Sequence, residues 1–192
     1  MAFVTADLMG HAPALAVARL LQAVLILWVF SRLRIHRRRD PRGRIRPERD
    51  GAARFGKFAP AIYLSFGFLL LAALGQMVSA GCALADIRPL VRAAGIRHAY
   101  VAGFGTLLLL GVAPRLIPGF LGVRGPAWPR LVRPAWLLGA VAALGVSTGL
   151  GLPTAILPEP ARLLFGLSGS LAWIAVALLA ANLWATFLRR PR

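Results

Sequence analysis

The sequence is poor in the residues that most soluble enzymes use for chemistry. Its single cysteine, Cys82, excludes an intrachain disulfide framework and a cysteine-rich zinc site. All six acidic residues lie outside the long apolar segments, so we do not expect a carboxylate proton pathway inside membrane helices. These residues are Asp7, Asp40, Glu48, Asp50, Asp86 and Glu159.

The sequence also lacks the short motifs of several large enzyme classes. It contains no Gly-x-Ser-x-Gly nucleophile elbow, no phosphate-binding P-loop and no His-Glu-x-x-His zinc motif. No catalytic pattern therefore assigns a reaction to the chain, and whether it is an enzyme is left open.

Long apolar segments dominate what is present. Of the 192 residues, 58% are hydrophobic, and the mean hydropathy is +0.71, which is high for a soluble domain. A helix needs about 20 apolar residues to cross the bilayer, and five segments come close to that length. They are residues 12–30, 60–80, 96–117, 134–151 and 163–188. We therefore predict an all-α integral membrane bundle of five transmembrane helices, with residues 1–192 forming one membrane domain.

Basic residues in the connections predict the orientation of this bundle. The chain has 23 Lys+Arg against 6 Asp+Glu, a net charge of +17, and the densest basic run is the loop 31–58. The positive-inside rule makes this loop and the C-terminus cytoplasmic and places the N-terminus outside. Four aromatic residues then fall near the cytoplasmic boundary, as an interfacial belt requires: Trp28, Tyr63, Trp136 and Trp184.

The same charges predict the partners and the compartment. Because the arginines lie between apolar segments, we expect contacts with the lipid bilayer and its anionic head groups rather than with nucleic acid. A membrane-protein partner or a homo-oligomer is also compatible with this pattern. The predicted location is an integral membrane, namely the bacterial inner (cytoplasmic) membrane.

Small residues at four-residue spacing predict how the helices pack. Such residues let helix backbones approach closely in lipid, where the hydrophobic effect does not drive association. The pattern occurs in three of the predicted helices, as Ala99-x-x-x-Gly103, Gly145-x-x-x-Gly149 and Gly166-x-x-x-Ser170.

Histidine is the main candidate for chemistry. His36 lies in the basic loop and is interpreted as solvated, whereas His11 and His98 lie at the predicted outer ends of the first and third helices. Neutral imidazole is a common ligand for haem iron and copper, so these two residues are candidate cofactor-binding and metal-binding ligands. Met77 lies at the same level and is a weaker metal candidate. The alternative for each histidine is an interfacial hydrogen-bonding role.

Two polar residues inside the predicted helices also need partners. Arg19 lies in the outer half of the first helix, where it either extends to the membrane surface or meets an anion such as Asp86 or a haem propionate. Asn182 lies near the inner end of the fifth helix, and we expect it to form a hydrogen bond between helices.

The third helix resembles a known family. Its segments Arg97-His98-Ala99-Tyr100-Val101-Ala102-Gly103-Phe104-Gly105-Thr106-Leu107 and Gly111-Val112-Ala113-Pro114-Arg115-Leu116-Ile117-Pro118-Gly119-Phe120 are similar to segments of the NnrS-type haem- and copper-containing membrane proteins. The resemblance implies that His98 is a haem or metal ligand. NnrS-type proteins have more helices and more histidines, so this chain would be a half-size relative.

Three functions follow as hypotheses. The leading hypothesis is a membrane protein that binds haem or copper in a respiratory or nitrogen-oxide-related role. The first alternative is a non-catalytic membrane scaffold or accessory subunit whose basic loop docks a partner or anionic lipid. The second is a small transporter, which a cavity lined by Arg19, Gln76, Thr106 and Asn182 would favour.

Overall fold

The protein, studied as a computed structural model, forms five long helices. The structure describes residues 12–32, 58–89, 91–123, 125–153 and 156–189, and within these ranges it contains no strand. Each of the five helices is long and apolar enough to cross a membrane. They are α1 (Ala12–Arg32), α2 (Ala59–Leu84), α3 (Ala93–Phe120), α4 (Pro129–Gly151) and α5 (Glu159–Leu188). The prediction of an all-helical chain with five apolar spans is confirmed, while most of the basic loop lies outside the described residues.

Successive helices run in opposite directions, which gives the bundle two distinct ends. The His98 end contains the starts of α1, α3 and α5 and the ends of α2 and α4. There the N–H of Arg92 donates a hydrogen bond of 2.8 Å to the carbonyl of Gly151. The Trp128 end contains the opposite termini. The distribution of arginines predicts that the Trp128 end faces the cytoplasm.

The core lies between α2, α3 and α4. Leu107 and Leu110 of α3 are almost fully buried and belong to a cluster that includes Phe68 of α2 and Trp136 of α4. Helix α1 packs chiefly against α2 and contributes no residue to this cluster. Helix α5 packs chiefly against α4. The outer helices therefore expose long apolar faces, as helices bordered by lipid do.

Glycines allow two pairs of helices to touch through their backbones. A Cβ added to Gly95 of α3 would lie 2.2 Å from the Cα of Gly151 of α4. A Cβ on Gly145 would lie 2.8 Å from the carbonyl oxygen of Leu164, and one on Gly149 would overlap the ring of Phe165. The packing role predicted for the Gly145-x-x-x-Gly149 pair is confirmed.

The matching prediction for α5 is wrong. Gly166 and Ser170 are exposed, and a Cβ added to Gly166 would meet no atom within 4 Å. This small-residue pair therefore faces away from the bundle.

The ends of two helices, and the positions of prolines within them, differ from the prediction. Helix α4 begins at Pro129, not at Pro134, because Pro129 already fills the first turn, where no N–H partner is required. Pro134 then lies inside the helix on an exposed position. Helix α3 continues through Pro114 and Pro118 to Phe120. Membrane helices tolerate such prolines because neighbouring groups can satisfy the carbonyls that lose a donor.

The four residues of the predicted aromatic belt differ in exposure, and their place at the cytoplasmic boundary stays a prediction. Trp28, Tyr63 and Trp184 are exposed. Trp136 is instead buried in the core, because it points toward α3 from the inner face of α4.

Candidate functional site

The predicted ligands do not form a metal site within the described residues. His98 is exposed, and its Nδ1 lies 2.9 Å from the carbonyl oxygen of Ala94. Met77 is half-buried in α2. His11 lies outside the described residues, so its distance from His98 is not tested. No group of three or more His, Cys, Asp or Glu side chains is positioned to hold a metal in the part of the chain that is described.

A polar cavity of about 220 Å³ lies between α1, α2 and α3 near the His98 end. Ala93 and Ile96 form its apolar part. The remaining lining residues are polar or charged: Arg19, Gln22, Gln76, Ser79, Arg97 and Tyr100. The cavity thus gathers two guanidinium groups in a bundle that is otherwise mostly apolar.

Each helix supplies two polar residues spaced three positions apart. Residues at this spacing lie on one face of a helix, so each pair points in one direction. The pairs are Arg19 and Gln22 on α1, Gln76 and Ser79 on α2, and Arg97 and Tyr100 on α3. Arg19 and Tyr100 are both seven residues from the start of their helices, which is about 10 Å at 1.5 Å per residue. All three pairs therefore lie at one depth.

Gln76 forms the floor of the cavity and joins α2 to α1. It is 7% exposed, and its Nε2 donates to the carbonyl oxygen of Arg19 at 2.9 Å and to Oε1 of Gln22 at 3.0 Å. Because the Gln22 oxygen is used in this way, its amide N–H groups are left to donate elsewhere. The amide hydrogen bonds therefore fix the first turns of α1 against α2 and leave donors facing the cavity.

The remaining lining groups are donors without partners. Neither Arg19 nor Arg97 forms an ion pair or a side-chain hydrogen bond in the described structure. The hydroxyl of Tyr100 is buried and also has no hydrogen-bond partner. The described acidic residues, Asp86 and Glu159, do not line the cavity. Two positive charges beside unused N–H and O–H donors are the chemistry that recognises an anion.

One of the alternatives predicted for Arg19, an ion pair with Asp86, is wrong. Arg19 does not pair with Asp86, which is exposed beyond the end of α2. Of the four residues named for a transporter cavity, only Arg19 and Gln76 line this one. Thr106 instead donates to the carbonyl oxygen of Val101 at 3.2 Å.

Asn182 lies at the Trp128 end and has a structural role. Its Oδ1 accepts from the N–H of Trp128 at 2.9 Å, and its Nδ2 donates to the carbonyl of the same residue at 3.0 Å. Thr186 accepts from the N–H of Ala127 at 2.8 Å, and Arg189 donates to the carbonyl of Ala127 at 3.1 Å. Asn182 therefore binds the connection before α4 rather than a neighbouring helix.

Tyr100 lies in an unusual stretch of α3. Residues Ala99–Thr106 form a π-helix between two α-helical parts of the same helix. Gly103 within it is buried against the ring of Phe68, where a Cβ would lie 2.4 Å from a ring carbon. π-Helical segments are rare and occur frequently at functional sites. This segment therefore places an irregular backbone directly beside the polar cavity.

Sequence reasoning identified Arg19 and Gln76 but missed Gln22, Ser79, Arg97 and Tyr100. A signal for all of them was present, because polar pairs three residues apart occur at matching depths in three consecutive apolar helices. Arg97 and Tyr100 were missed because they lie close to His98, and this segment was interpreted as part of a metal site.

The fold defines the class of this protein. Five apolar helices of membrane-spanning length are the architecture of a multi-pass integral membrane protein. No protein-family model matches the chain, and searches of curated proteins and of solved structures likewise find no match.

Proposed function

We propose that this multi-pass membrane protein binds an oxyanion, such as a phosphate or carboxylate group, in the cavity between α1, α2 and α3. The observation that supports the proposal most strongly is the presence of Arg19 and Arg97 in one cavity, with no acidic residue among the described residues that line it. An arginine within a membrane span is costly, so its retention at a cavity indicates a function.

The chemistry of the lining favours an oxyanion over a neutral ligand. Each guanidinium presents a planar set of N–H donors that can contact two oxygen atoms of a phosphate or carboxylate at once. Gln22 and Tyr100 can add neutral donors. A cation would be repelled by the two charges, and a neutral ligand would leave them uncompensated.

Binding can be measured as stabilisation of the purified protein in non-ionic detergent. A ligand that binds only the folded state raises the unfolding temperature as its concentration increases. Inorganic phosphate and glycerol phosphate are suitable probes, and isothermal titration gives their dissociation constants. We expect Arg97→Gln and Arg19→Gln each to weaken binding about tenfold, since a hydrogen bond to a charged group contributes about 1.5 kcal/mol or more.

Arg133→Gln is the matched control. Arg133 is an exposed arginine of α4 near the Trp128 end, so its replacement removes the same charge far from the cavity. Arg97→Lys should bind with intermediate affinity, because lysine keeps the charge and loses the planar donor pair. Equal phosphate affinity in wild type, Arg97→Gln and Arg133→Gln would refute the proposal.

A haem or copper site at His98 is the second candidate. The carbonyl of Ala94 can only accept a hydrogen bond, so in the neutral ring Nδ1 carries the proton. This leaves the lone pair on Nε2, which is the arrangement commonly found in metal-binding histidines. The respiratory or nitrogen-oxide-related role and the NnrS-like relationship are proposals that rest on the sequence resemblance.

Cofactor supplementation followed by spectroscopy tests this second candidate. A Soret band or bound copper that disappears in His98→Ala would support it, with His36→Ala in the basic sequence segment as the control. Absence of both signals after supplementation would end it. His98 does not line the polar cavity, so His98→Ala should leave phosphate binding unchanged.

A further inference from the structure

We infer that the oxyanion is the phosphate of an anionic phospholipid, which enters the cavity sideways from the bilayer and lays an acyl chain on a row of phenylalanine rings. This inference rests on the proposed anion-binding function and assigns its ligand. It follows from a row of phenylalanine rings on the same three helices, which extends from the polar cavity toward the Trp128 end.

The row of rings begins about one helical turn from Tyr100 of the cavity. Phe104 follows Tyr100 by four residues on α3, so both side chains share one face of that helix. The ring of Phe104 lies 5.6 Å from the ring of Phe66 on α2, measured between centroids. The ring of Phe66 in turn lies 6.2 Å from that of Phe30 on α1. One continuous aromatic surface therefore joins the three helices that form the cavity.

The row of rings also has the length expected for an acyl chain. Phe66 precedes Gln76 by ten residues, which places its backbone about 15 Å further from the His98 end. Phe30 follows Arg19 by eleven residues, or about three helical turns, so it lies on the same face of α1 as the arginine. All three rings are half-buried, so part of this apolar surface can contact a chain.

The cavity is open on the side of α1 and α3. Arg19, Gln22 and Arg97 are exposed, whereas Gln76 of α2 is buried beneath them. Because α1 packs chiefly against α2, the two outer walls are not closed against each other. A ligand that is already in the bilayer can therefore enter between α1 and α3 with its head group level with the arginines.

Charge decides which lipid fits. Within the described part of the chain, the cavity lining carries two positive charges and no acidic residue, so a lipid with a net negative head group is favoured over a zwitterionic one. The arginines would contact the phosphate while the phenylalanines contact the chain. Different residues would therefore bind the head group and the acyl chain, so mutations can change the affinity for each part separately.

Native mass spectrometry and titration of the detergent-purified full chain can test this assignment with three probes. Dioleoyl phosphatidylglycerol carries both parts, dioleoyl phosphatidylcholine has the same chains with a zwitterionic head, and glycerol phosphate is a head without chains. We expect phosphatidylglycerol to bind about tenfold more tightly than phosphatidylcholine, which corresponds to one charge-assisted contact. We expect it to bind about a hundredfold more tightly than glycerol phosphate, because the buried methylenes of the acyl chain add affinity that glycerol phosphate lacks.

Variants separate the two parts of the ligand. Arg97→Gln should weaken phosphatidylglycerol and glycerol phosphate alike. Phe104→Leu and Phe30→Leu should weaken phosphatidylglycerol several-fold and leave glycerol phosphate unchanged. Phe120→Leu is the matched control, since this residue is 83% exposed at the other end of α3. Thermal unfolding of each variant establishes that the folded bundle is being compared.

Two outcomes overturn the inference in different ways. If glycerol phosphate binds as tightly as phosphatidylglycerol and still depends on Arg19 and Arg97, the anion-binding function stands and the lipid assignment is wrong. If phosphatidylglycerol binds without dependence on these arginines and glycerol phosphate does not bind, the lipid is a non-specific boundary lipid and both proposals are wrong.

Discussion

The two ends of the bundle use similar polar side chains for opposite purposes. At the Trp128 end, Asn182, Thr186 and Arg189 satisfy the backbone groups of Ala127 and Trp128. The flanking prolines, Pro126 and Pro129, have no N–H, so every backbone N–H from residue 126 to 129 is accounted for.

At the His98 end, the corresponding polar groups are only partly satisfied. Gln76 is hydrogen-bonded to α1, whereas Arg19, Arg97 and the hydroxyl of Tyr100 have no side-chain partner. The hydroxyl of Tyr100 also differs from the two other buried donors without partners among the described residues, the indole N–H of Trp136 and the hydroxyl of Ser147, because Tyr100 lines the cavity. The difference between the ends therefore distinguishes a structural contact from a binding site more clearly than residue type does.

The largest expected change in stability tests how tightly α3 and α4 pack at the His98 end. Gly95→Ala should lower the free energy of unfolding by about 3 kcal/mol, because the new methyl would overlap the backbone of Gly151 and force α3 away from α4. Gly151→Ala is the matched control, since its methyl would lie at an ordinary 3.4 Å from the Cα of Gly95. Unfolding in mixed micelles measures both. Equal stability of the two variants would mean that this end is loosely packed and that the cavity is not a fixed site.

The next largest change in stability is expected at Asn182, at the Trp128 end. Asn182→Ala should cost about 2 kcal/mol of stability, since it leaves the N–H of Trp128 without a partner and removes one of the two donors to its carbonyl, which keeps only the N–H of Leu131. Its affinity for phosphate should equal that of wild type. Ser168→Ala is the control, because Ser168 is also buried in α5 but bonds only to the carbonyl of Phe165 within its own helix. Weaker phosphate binding in Asn182→Ala would contradict the separation of the two ends.

The fold was largely predictable from the sequence, for a physical reason. Hydrocarbon requires each span to satisfy its own backbone, so apolar runs of sufficient length can only be helices. The helix termini were less predictable, since prolines such as Pro129 and Pro134 are both compatible with a first turn. The sequence also did not predict whether Trp136 and Gly166 face lipid or protein, because an apolar or small residue is acceptable in either environment.

The site was predictable only in part. Arg19 and Gln76 are conspicuous because a charge or an amide inside an apolar helix requires a partner. Their meeting depends on which helices are neighbours and on how each is rotated, and sequence periodicity fixes neither across three helices. Asn182 shows the same limitation, since its need for a hydrogen bond was evident but its partner, the backbone of Trp128, was not.

A smaller effect tests the one polar group that contributes to both stability and the site. Gln76→Leu should reduce stability by about 1 kcal/mol, because the hydrogen bonds from α2 to Arg19 and Gln22 are lost while the volume is kept. Phosphate affinity should also fall several-fold, since the turn of α1 that carries Arg19 is no longer fixed. Gln76→Leu with unchanged stability and unchanged affinity would show that α1 is positioned without this contact.

The smallest expected change in stability has opposite signs at the two ends of the bundle. Tyr100→Phe removes a buried hydroxyl that has no partner, so the ligand-free protein should become more stable by about 0.5 kcal/mol, while phosphate binding weakens. Thr186→Val removes a hydroxyl that accepts from Ala127 and donates to the carbonyl of Asn182. That variant should lose about 1 kcal/mol of stability and bind phosphate normally. Since both changes delete one hydroxyl, opposite signs in unfolding measurements can arise only from the environments of the two groups. A loss of stability in both variants would show that the Tyr100 hydroxyl is satisfied, and the contrast between a structural end and a binding end would then fail at its most sensitive position.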